Sequence, residues 1–251
     1  MAERSTIEWT EATWNPTTGC DRTSPGCDHC YALTLAKRLK AMGQAKYQED
    51  GDPRTSGPGF RLTVHPDALG MPHRWRDGRM VFVNSMSDLF HDQVPAEFIA
   101  EVFAVMAAAP RHTFQVLTKR SRRLAALSDH LDWPANVWMG VSIESDRYVF
   151  RADHLRAAGA RVKFLSVEPM LGPVPSLDLT GIDWVIAGGE SGPGARPLDE
   201  AWVRDLRDRC VDHHPAVKFF FKQWGGRTPK AGGRLLQGRT WDEAPPRRVA
   251  V

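Results

Sequence analysis

Short apolar runs alternate with amphipathic stretches along most of the chain. Six runs of strand length follow residue 79, at about residues 80–84, 113–117, 137–141, 162–165, 184–187 and 217–221. Another, near residues 8–16, precedes them. The runs are mostly apolar and show no regular alternation with polar residues, which is typical of parallel strands covered on both faces.

Helical patterns separate these runs. Apolar positions recur at helical spacing across about residues 95–108, 121–127, 148–158 and 199–210. Strands that alternate with helices imply a parallel sheet with right-handed crossovers. The pattern therefore predicts an α/β fold, a partial or irregular TIM-like (βα) barrel of six to eight mainly parallel strands. An open doubly wound sheet is the alternative.

The length and the local composition suggest how the chain is divided. Its 251 residues suit a single α/β barrel, which typically uses about 250. We predict one domain over residues 1–225, with a mobile loop at residues 46–60, where Gly, Pro, Asp and Ser are frequent. Residues 226–251 are predicted to form a polar C-terminal tail without regular structure.

Composition and charge narrow the functional classes only a little. The net charge of +3 permits an anionic substrate without requiring one. No apolar run approaches the roughly 20 residues that span a bilayer, and the first residues lack the apolar core of a signal peptide. We therefore expect a cytoplasmic protein that does not associate with membranes. Nothing in the sequence indicates an oligomeric state.

Three of the four cysteines lie within eleven residues: Cys20, Cys27 and Cys30. Because the cytosol keeps thiols reduced, such a cluster indicates metal binding or chemistry more than disulfides. Three thiolates without an evident fourth favour an iron–sulfur cluster, since structural zinc usually has four protein ligands. A zinc site completed by a histidine, His29 or His91, is the alternative. The remaining cysteine, Cys210, is predicted to be an ordinary buried thiol.

Polar residues recur after the predicted strands, where barrel enzymes place their chemistry. The candidate catalytic residues are the acids Glu144, Glu168 and Glu190. Other candidates for a bound cofactor are Asn84, Ser85, Ser87, Asp88, Thr118, Lys119, Ser142, Ser166, Gly188 and Gly189. The alternative for each acid is a solvated or helix-capping carboxylate. The basic run at residues 119–123 is interpreted as a solvated helix face, with phosphate contact as the alternative.

Further motifs accompany the cysteines over about residues 5–245. They are Trp14-Asn15-Pro16, Gly19-Cys20, Ser24-Pro25-Gly26-Cys27, Cys30-Tyr31-Ala32, Ser87-Asp88-Leu89-Phe90-His91, Leu117-Thr118-Lys119-Arg120, Gly140-Val141-Ser142, Ser166-Val167-Glu168-Pro169 and Gly188-Gly189-Glu190-Ser191. Together with the Cx6CxxCYA cysteine motif, they resemble a family found in phages and bacteria. Three clustered cysteines ahead of a βα pattern also resemble the radical S-adenosylmethionine (SAM) superfamily, with DNA photoproduct lyases as a distant likeness. The usual superfamily spacing is CxxxCxxC with an aromatic before the last cysteine, whereas this chain has a six-residue first gap and His29 at that place.

The resemblance implies a cofactor set and a reaction. It implies a [4Fe–4S] cluster on Cys20, Cys27 and Cys30, with one iron open to the amino and carboxylate groups of SAM. Reductive cleavage of SAM would then generate a 5′-deoxyadenosyl radical that abstracts hydrogen from substrate. An external electron donor such as flavodoxin or ferredoxin is implied as a partner. Residues 84–88 occupy the position where superfamily members carry Gly-Gly-Glu, so Ser85, Ser87 or Asp88 would accept the SAM ammonium, and Glu190 would face the substrate.

The substrate is not defined by any motif in the chain. No Gly-rich phosphate loop, nucleophile elbow or HExxH zinc motif is present. The phage association and the likeness to photoproduct lyases favour a nucleic acid or nucleotide. Two other functions stay open at this point. One is a zinc-binding, nucleic-acid-interacting protein without radical chemistry, and the other is an iron–sulfur protein that does not use SAM.

Overall fold

The computed structural model describes residue 5 and residues 7–228 and 230–247. Residues 1–4, 6, 229 and 248–251, which belong to the predicted domain and tail, lie outside the described residues. The strands of the described chain are β1 (Ala12–Trp14), β2 (Thr17–Thr18), β3 (Thr63–Val64), β4 (Met80–Val83), β5 (Thr113–Thr118), β6 (Val137–Ser142), β7 (Val162–Val167), β8 (Trp184–Gly188) and β9 (Lys218–Gln223). The α-helices are α1 (Tyr31–Ala41), α2 (Ala96–Ala107), α3 (Ser121–Leu127), α4 (Phe150–Arg156) and α5 (Glu200–Asp212).

Seven strands form one parallel sheet that curls into a half-barrel. Their order is β1-β4-β5-β6-β7-β8-β9, and every neighbouring pair is parallel. The strands follow one another in chain order, whereas a doubly wound sheet reverses direction at a switch point. The α/β prediction of a TIM-like partial barrel is therefore confirmed, with seven strands in the range expected.

The two faces of the sheet carry two different apolar cores. Side chains alternate between the faces along a strand. One set, which includes Val81, Val116 and Leu165, belongs to the large core that also contains residues of α2, α4 and α5. The other set alternates with it, and its aromatic members fill the concave side: Phe82, Trp138, Phe164, Trp184 and Phe220. Because each face of the sheet packs in an apolar core, most strand positions are apolar.

A short antiparallel pair and a helix hold the cysteine segment. β2 pairs with β3 through Thr17 opposite Val64 and Thr18 opposite Thr63. The cysteines follow β2, and α1 follows the cysteines. The sequence pattern did not predict α1, because its buried residues are the small Ala32 and Ala36, whereas Tyr31 is 55% exposed.

The segments predicted as loop and tail both pack against the domain. Within residues 46–60, Phe60 is buried with Ala32 and Ala36 of α1, and the Thr55 hydroxyl donates to Asp21 at 2.6 Å. In the C-terminal segment, Leu236 and Trp241 are buried in the large core. The tail therefore contributes to the core, although its sequence is mostly polar.

Within the described part of the chain, no helix is both long enough and apolar enough to cross a membrane.

Candidate active site

One loop presents all three clustered thiols. Cys20 follows β2, Cys27 ends a 3-10 turn at Pro25–Cys27, and Cys30 is the N-cap residue of α1. The turn is closed by the backbone N–H of Cys27, which donates to the carbonyl of Ser24 at 2.8 Å. All three cysteines are free thiols and partly exposed. The loop thus supplies three unpaired sulfur ligands from a stretch of eleven residues.

The environment of each thiol shifts its pKa differently. Burial raises the pKa of Cys20 to about 12, against the opposing charge of Arg120. Burial also raises the pKa of Cys30. For Cys27, burial acts in the same direction, but the charge of Lys119 and hydrogen bonds from Thr23 and Ser24 prevail and lower the pKa. The Cys27 charge raises the pKa of both other thiols, so Cys27 interacts electrostatically with each of them.

The donor chemistry of this loop fits an iron–sulfur cluster. Among the described residues, no three His, Cys, Asp or Glu side chains are arranged to hold a single metal ion. A [4Fe–4S] cluster needs a different arrangement, because each thiolate binds its own iron corner of the cube. Three thiolates from one loop supply three such corners. Arg120 donates a hydrogen bond to one of these sulfurs, with its Nη1 3.3 Å from the Cys20 Sγ.

Glu144 anchors the cysteine loop to the end of β6. Its Oε1 accepts a hydrogen bond from Ser24 at 2.6 Å and lies 3.3 Å from the Lys119 Nζ. Its Oε2 accepts from Arg151 at 2.9 Å. The carboxylate also packs on Gly26, where a Cβ atom would lie 2.5 Å from the Glu144 Cγ. Glu144 is therefore fully buried and paired with two cations, so the solvated alternative for this acid is wrong.

Glu190 anchors the same loop from the end of β8. Its Oε2 lies 2.9 Å from the His29 Nδ1, and Arg196 pairs with both of its oxygens. Arg196 also donates to the carbonyl of Pro25 at 2.8 Å. Although burial acts to raise it, hydrogen bonds from Arg196 and His29 lower the pKa of Glu190 to about 2. The carboxylate is therefore held ionised across the cysteine loop.

Asp88 connects the ends of β4 and β5. Its Oδ1 accepts from the Thr118 hydroxyl at 2.7 Å and from the backbone N–H of Phe90 at 3.0 Å. Its Oδ2 accepts from the backbone N–H of Lys119 and from Arg120. Asp88 thus positions Arg120 beside Cys20, and both of its oxygens are already used by protein donors.

The other polar residues after β4 bind the segment that leads into the cysteine loop. Ser87 donates to the carbonyl of Thr17 at 2.8 Å, and the Asn84 Nδ2 donates to the Thr17 hydroxyl at 2.7 Å. The carbonyl of Ser85 accepts from Tyr31 at 2.5 Å. The Asn84 Oδ1 is buried and has no hydrogen-bond partner within the described chain. Within the described chain, the Asn84 Oδ1 is therefore an acceptor that a ligand could use.

The remaining candidates lie at the ends of β6, β7 and β8. Glu168 forms an ion pair with Lys222, with its Oε1 3.0 Å from the Nζ, and its Oε2 accepts from Ser166 at 3.3 Å. Ser142 is buried beside Ser166 in the sheet register. Strand alternation assigns Ser142, Ser166 and Lys222 to the concave side, together with Gly188.

The two consecutive glycines after β8 are both crowded by the protein itself. A Cβ on Gly188 would lie 2.7 Å from the Glu168 Oε1. A Cβ on Gly189 would lie 2.0 Å from the carbonyl oxygen of Trp224. The backbone approach that requires Gly189 is therefore made by the turn after β9.

The structure brings the predicted residues to one edge and adds several that the sequence analysis missed. The three acids, the serines after β4 and the cysteines all lie at the carboxyl edge of the sheet. Ser24 and Arg196 bind the cysteine loop to Glu144 and Glu190, and Arg151 pairs with Glu144. Asn15 accepts a hydrogen bond from the backbone N–H of Met86, after β4. Arg196 also binds Pro25, 171 positions away along the chain, and Arg151 lies in α4 whereas Glu144 follows β6, so no local pattern marks these contacts.

A parallel half-barrel with a three-cysteine loop at its carboxyl edge places the chain among TIM-like partial-barrel α/β proteins. It belongs to the DUF5131 family, described as "Protein of unknown function", whose sequence profile matches residues 4–245. No curated protein matches the chain.

Solved structures of spore photoproduct lyase are similar in fold. A cysteine-to-serine mutant matches with a TM-score of 0.50 and 15% identity, over 84% of this chain and 64% of that one. A cysteine-to-alanine mutant with dinucleoside spore photoproduct matches with a TM-score of 0.43 and 14% identity, over 78% and 59%. The chain spans less than two thirds of the length of either relative. At this identity the likeness shows the fold alone.

Proposed function

We propose that the chain is a radical SAM-type iron–sulfur enzyme. The observation that carries this proposal is the cysteine loop itself: three free thiols on one loop, fastened by Glu144 and Glu190 to the carboxyl edge of a parallel half-barrel. Barrel enzymes place their chemistry at this edge. The likeness in fold to spore photoproduct lyase supports the same assignment.

Cys20, Cys27 and Cys30 would hold a [4Fe–4S] cluster. The fourth cysteine, Cys210, is buried within α5 in the large core and belongs to a different part of the molecule. A cluster on this loop would therefore keep one iron open to SAM. When bound, the reduced cluster and SAM would supply a 5′-deoxyadenosyl radical for hydrogen abstraction, with the electron delivered by a donor such as flavodoxin or ferredoxin.

Side chains at the carboxyl edge suit the charged groups of SAM. The Asn84 Oδ1 is a buried acceptor without a partner in the described chain, which suits an ammonium donor. The adjoining concave side offers the Glu168–Lys222 pair, which can orient polar substituents of a ligand. The aromatic floor below, with Trp138, Trp184 and Phe164, excludes water from the bottom of the half-barrel. Such exclusion protects a reactive intermediate from side reactions.

Anaerobic purification and metal analysis test this proposal. We expect brown protein with about four iron and four sulfide per chain, and formation of 5′-deoxyadenosine when SAM and a reductant are added. Cys27→Ala should lose the cluster and the SAM cleavage. Cys210→Ala is the matched control, because it removes a thiol outside the loop and should retain both.

Three results would contradict the proposal. One bound zinc without iron would support the zinc-binding alternative. A cluster that does not cleave SAM after reduction would support an iron–sulfur protein of another kind. Equal iron loss in Cys27→Ala and Cys210→Ala would show that iron binding does not depend specifically on the cysteine loop.

A further inference from the structure

A basic cavity lies beside the cysteine loop. Its volume is about 460 Å³, within the usual size range of ligand pockets. Thr23 of the cysteine loop forms part of its wall, and Asp92 is the one acid among the described residues that line it. The cations of the lining are Lys119, Arg120, Arg122, Arg123, Arg147 and Arg151.

Four of these cations are already engaged. Lys119 and Arg151 pair with Glu144, and Arg120 pairs with Asp88. Arg123 donates to the backbone carbonyls of residues 91 and 94. These side chains build the wall of the cavity, and their charges are largely balanced by protein groups.

Arg122 and Arg147 differ from the other four. Both are exposed, and within the described chain neither forms an ion pair. Each lies over an aromatic ring: the Arg122 guanidinium is 5.9 Å from the Phe150 ring centroid, and the Arg147 guanidinium is 6.0 Å from that of Tyr148. The two rings are 6.5 Å apart, and Phe150 is 38% exposed.

This combination has a recognisable ligand chemistry. Unpaired guanidinium groups bind phosphate, because their planar fork of N–H donors can contact two phosphate oxygens at once. Exposed aromatic rings beside a basic groove are the feature on which bases of single strands stack. A duplex would offer phosphates but no unstacked base to Phe150.

We infer that this cavity binds single-stranded nucleic acid, with Arg122 and Arg147 on successive phosphates and Phe150 against a base. Thr23 connects the cavity to the chemistry proposed above, because its hydroxyl lies 3.8 Å from the Cys27 Sγ. As a substrate site this inference rests on the proposed function, whereas the binding itself does not. It assigns the substrate class as a single strand whose backbone is held next to the cysteine loop.

Fluorescence anisotropy with a labelled short oligothymidylate tests the inference on the full, anaerobically purified chain. Arg122→Glu with Arg147→Glu should weaken binding at least tenfold. It should also reduce the steepness of log K against log salt by about 1.4, since each phosphate contact on a single strand contributes about 0.7. Phe150→Ala should weaken binding about fivefold or more without changing that slope.

Arg161→Glu with Lys218→Glu is the matched control. Both residues are exposed and lie at the amino ends of β7 and β9, at the opposite edge of the sheet. The control changes net charge by the same amount, and it should bind within about twofold of the unaltered chain. Thermal unfolding of every variant verifies that each is folded.

Three outcomes would overturn the inference. The first is no oligothymidylate binding by the unaltered chain at low salt. The second is an equal loss of affinity in the cavity variant and the control, which would indicate general charge attraction. The third is displacement by inorganic phosphate or thymidine monophosphate as effective as that by unlabelled oligothymidylate, which would indicate a site for free phosphate.

The binding and the proposed chemistry are tested separately. Anisotropy needs neither SAM nor a reductant, and SAM cleavage is measured without an oligonucleotide. Binding without SAM cleavage would retain the cavity assignment and reject the radical chemistry. Cleavage without binding would reject only the cavity assignment.

Discussion

Arg120 donates a hydrogen bond to the sulfur of Cys20, with its Nη1 3.3 Å from the Sγ. The Arg120 side chain is 9% exposed, and its guanidinium is held there by Asp88 and by the backbone carbonyl of Asp21. A positive charge in this position stabilises the more negative of two redox states. The residue therefore bears directly on the electron transfer that the proposed function requires.

Replacing Arg120 should change the reduction potential of the proposed cluster. Arg120→Gln removes the charge, and we expect the potential to become more negative by about 60 mV, which corresponds to about 1.4 kcal/mol for one electron. Hydrogen bonds to cluster sulfurs and net charge are known determinants of this potential. Arg120→Lys keeps the charge and should shift it less. Redox titration followed by electron paramagnetic resonance measures both, and an unchanged potential in Arg120→Gln would count against the assignment.

Loss of Glu144 should destabilise the fold strongly. Its side chain is 1% exposed and pairs with Arg151, which is 4% exposed. Glu144→Ala leaves this guanidinium buried without its carboxylate, so we expect a loss of about 3–5 kcal/mol in the free energy of unfolding. Chemical denaturation provides the measurement.

Glu200→Ala is the control for this prediction. Glu200 is 55% exposed, and its pair with Arg204 is long, at 4.0 Å. Exposed pairs contribute at most about 1 kcal/mol. Similar losses in the two variants would show that burial of the Glu144 pair has no energetic weight.

The free energy of unfolding should decrease at acid pH, because the Glu190 carboxylate becomes protonated. Against the effect of burial, Arg196 and His29 hold the pKa of this carboxyl at about 2, below its ordinary value of 4.5. A group whose folded pKa is depressed stabilises the fold above its unfolded pKa, and this contribution is lost as pH falls towards 2. Glu190→Gln should therefore be less stable than the unaltered chain near neutral pH, by about 2 kcal/mol, and the difference should shrink between pH 4.5 and 2. A difference that stays constant over this interval would refute the linkage.

A methyl group at Gly26 should disturb the cysteine loop. The added Cβ would lie 2.7 Å from the Glu144 Oε1, so the buried carboxylate must move. We expect Gly26→Ala to lose about 1–3 kcal/mol of stability and to bind less iron. Gly70→Ala serves as the control, because nothing lies within 4 Å of its Cβ position. Equal iron content in the two variants would disagree with the proposed role of the Gly26–Glu144 contact.

The strands could be predicted because their sequence carries a strong local signal. Runs such as residues 137–141 are apolar at every position, and the structure places one set of side chains in each of two cores. The clustering of the polar strand ends could also be predicted, because parallel strands bring their carboxyl ends to one edge of the sheet. Helix α1 was missed because its packing uses alanine, while Tyr31 and Leu35 face solvent.

The contacts that hold the site could not be predicted in this way. Arg196 connects Glu190 to Pro25, 171 positions away along the chain, through geometry set by the whole sheet. The basic run at residues 119–123 was interpreted as a solvated face. In the structure, Lys119, Arg120 and Arg123 instead bind acids and backbone carbonyls from distant segments, whereas Arg122 is exposed at the cavity.

The C-terminal segment limits association between copies of the chain through the edge strand β9. The backbone N–H of Phe221 donates to the carbonyl of Trp241 at 2.9 Å, and that of Glu243 donates to the carbonyl of Phe219. A half-barrel ends in a bare outer strand, and bare strands invite intermolecular pairing and aggregation. Trp241 and its neighbours cap β9 against such pairing. At the other border, β1 is only three residues long and offers little to a second chain.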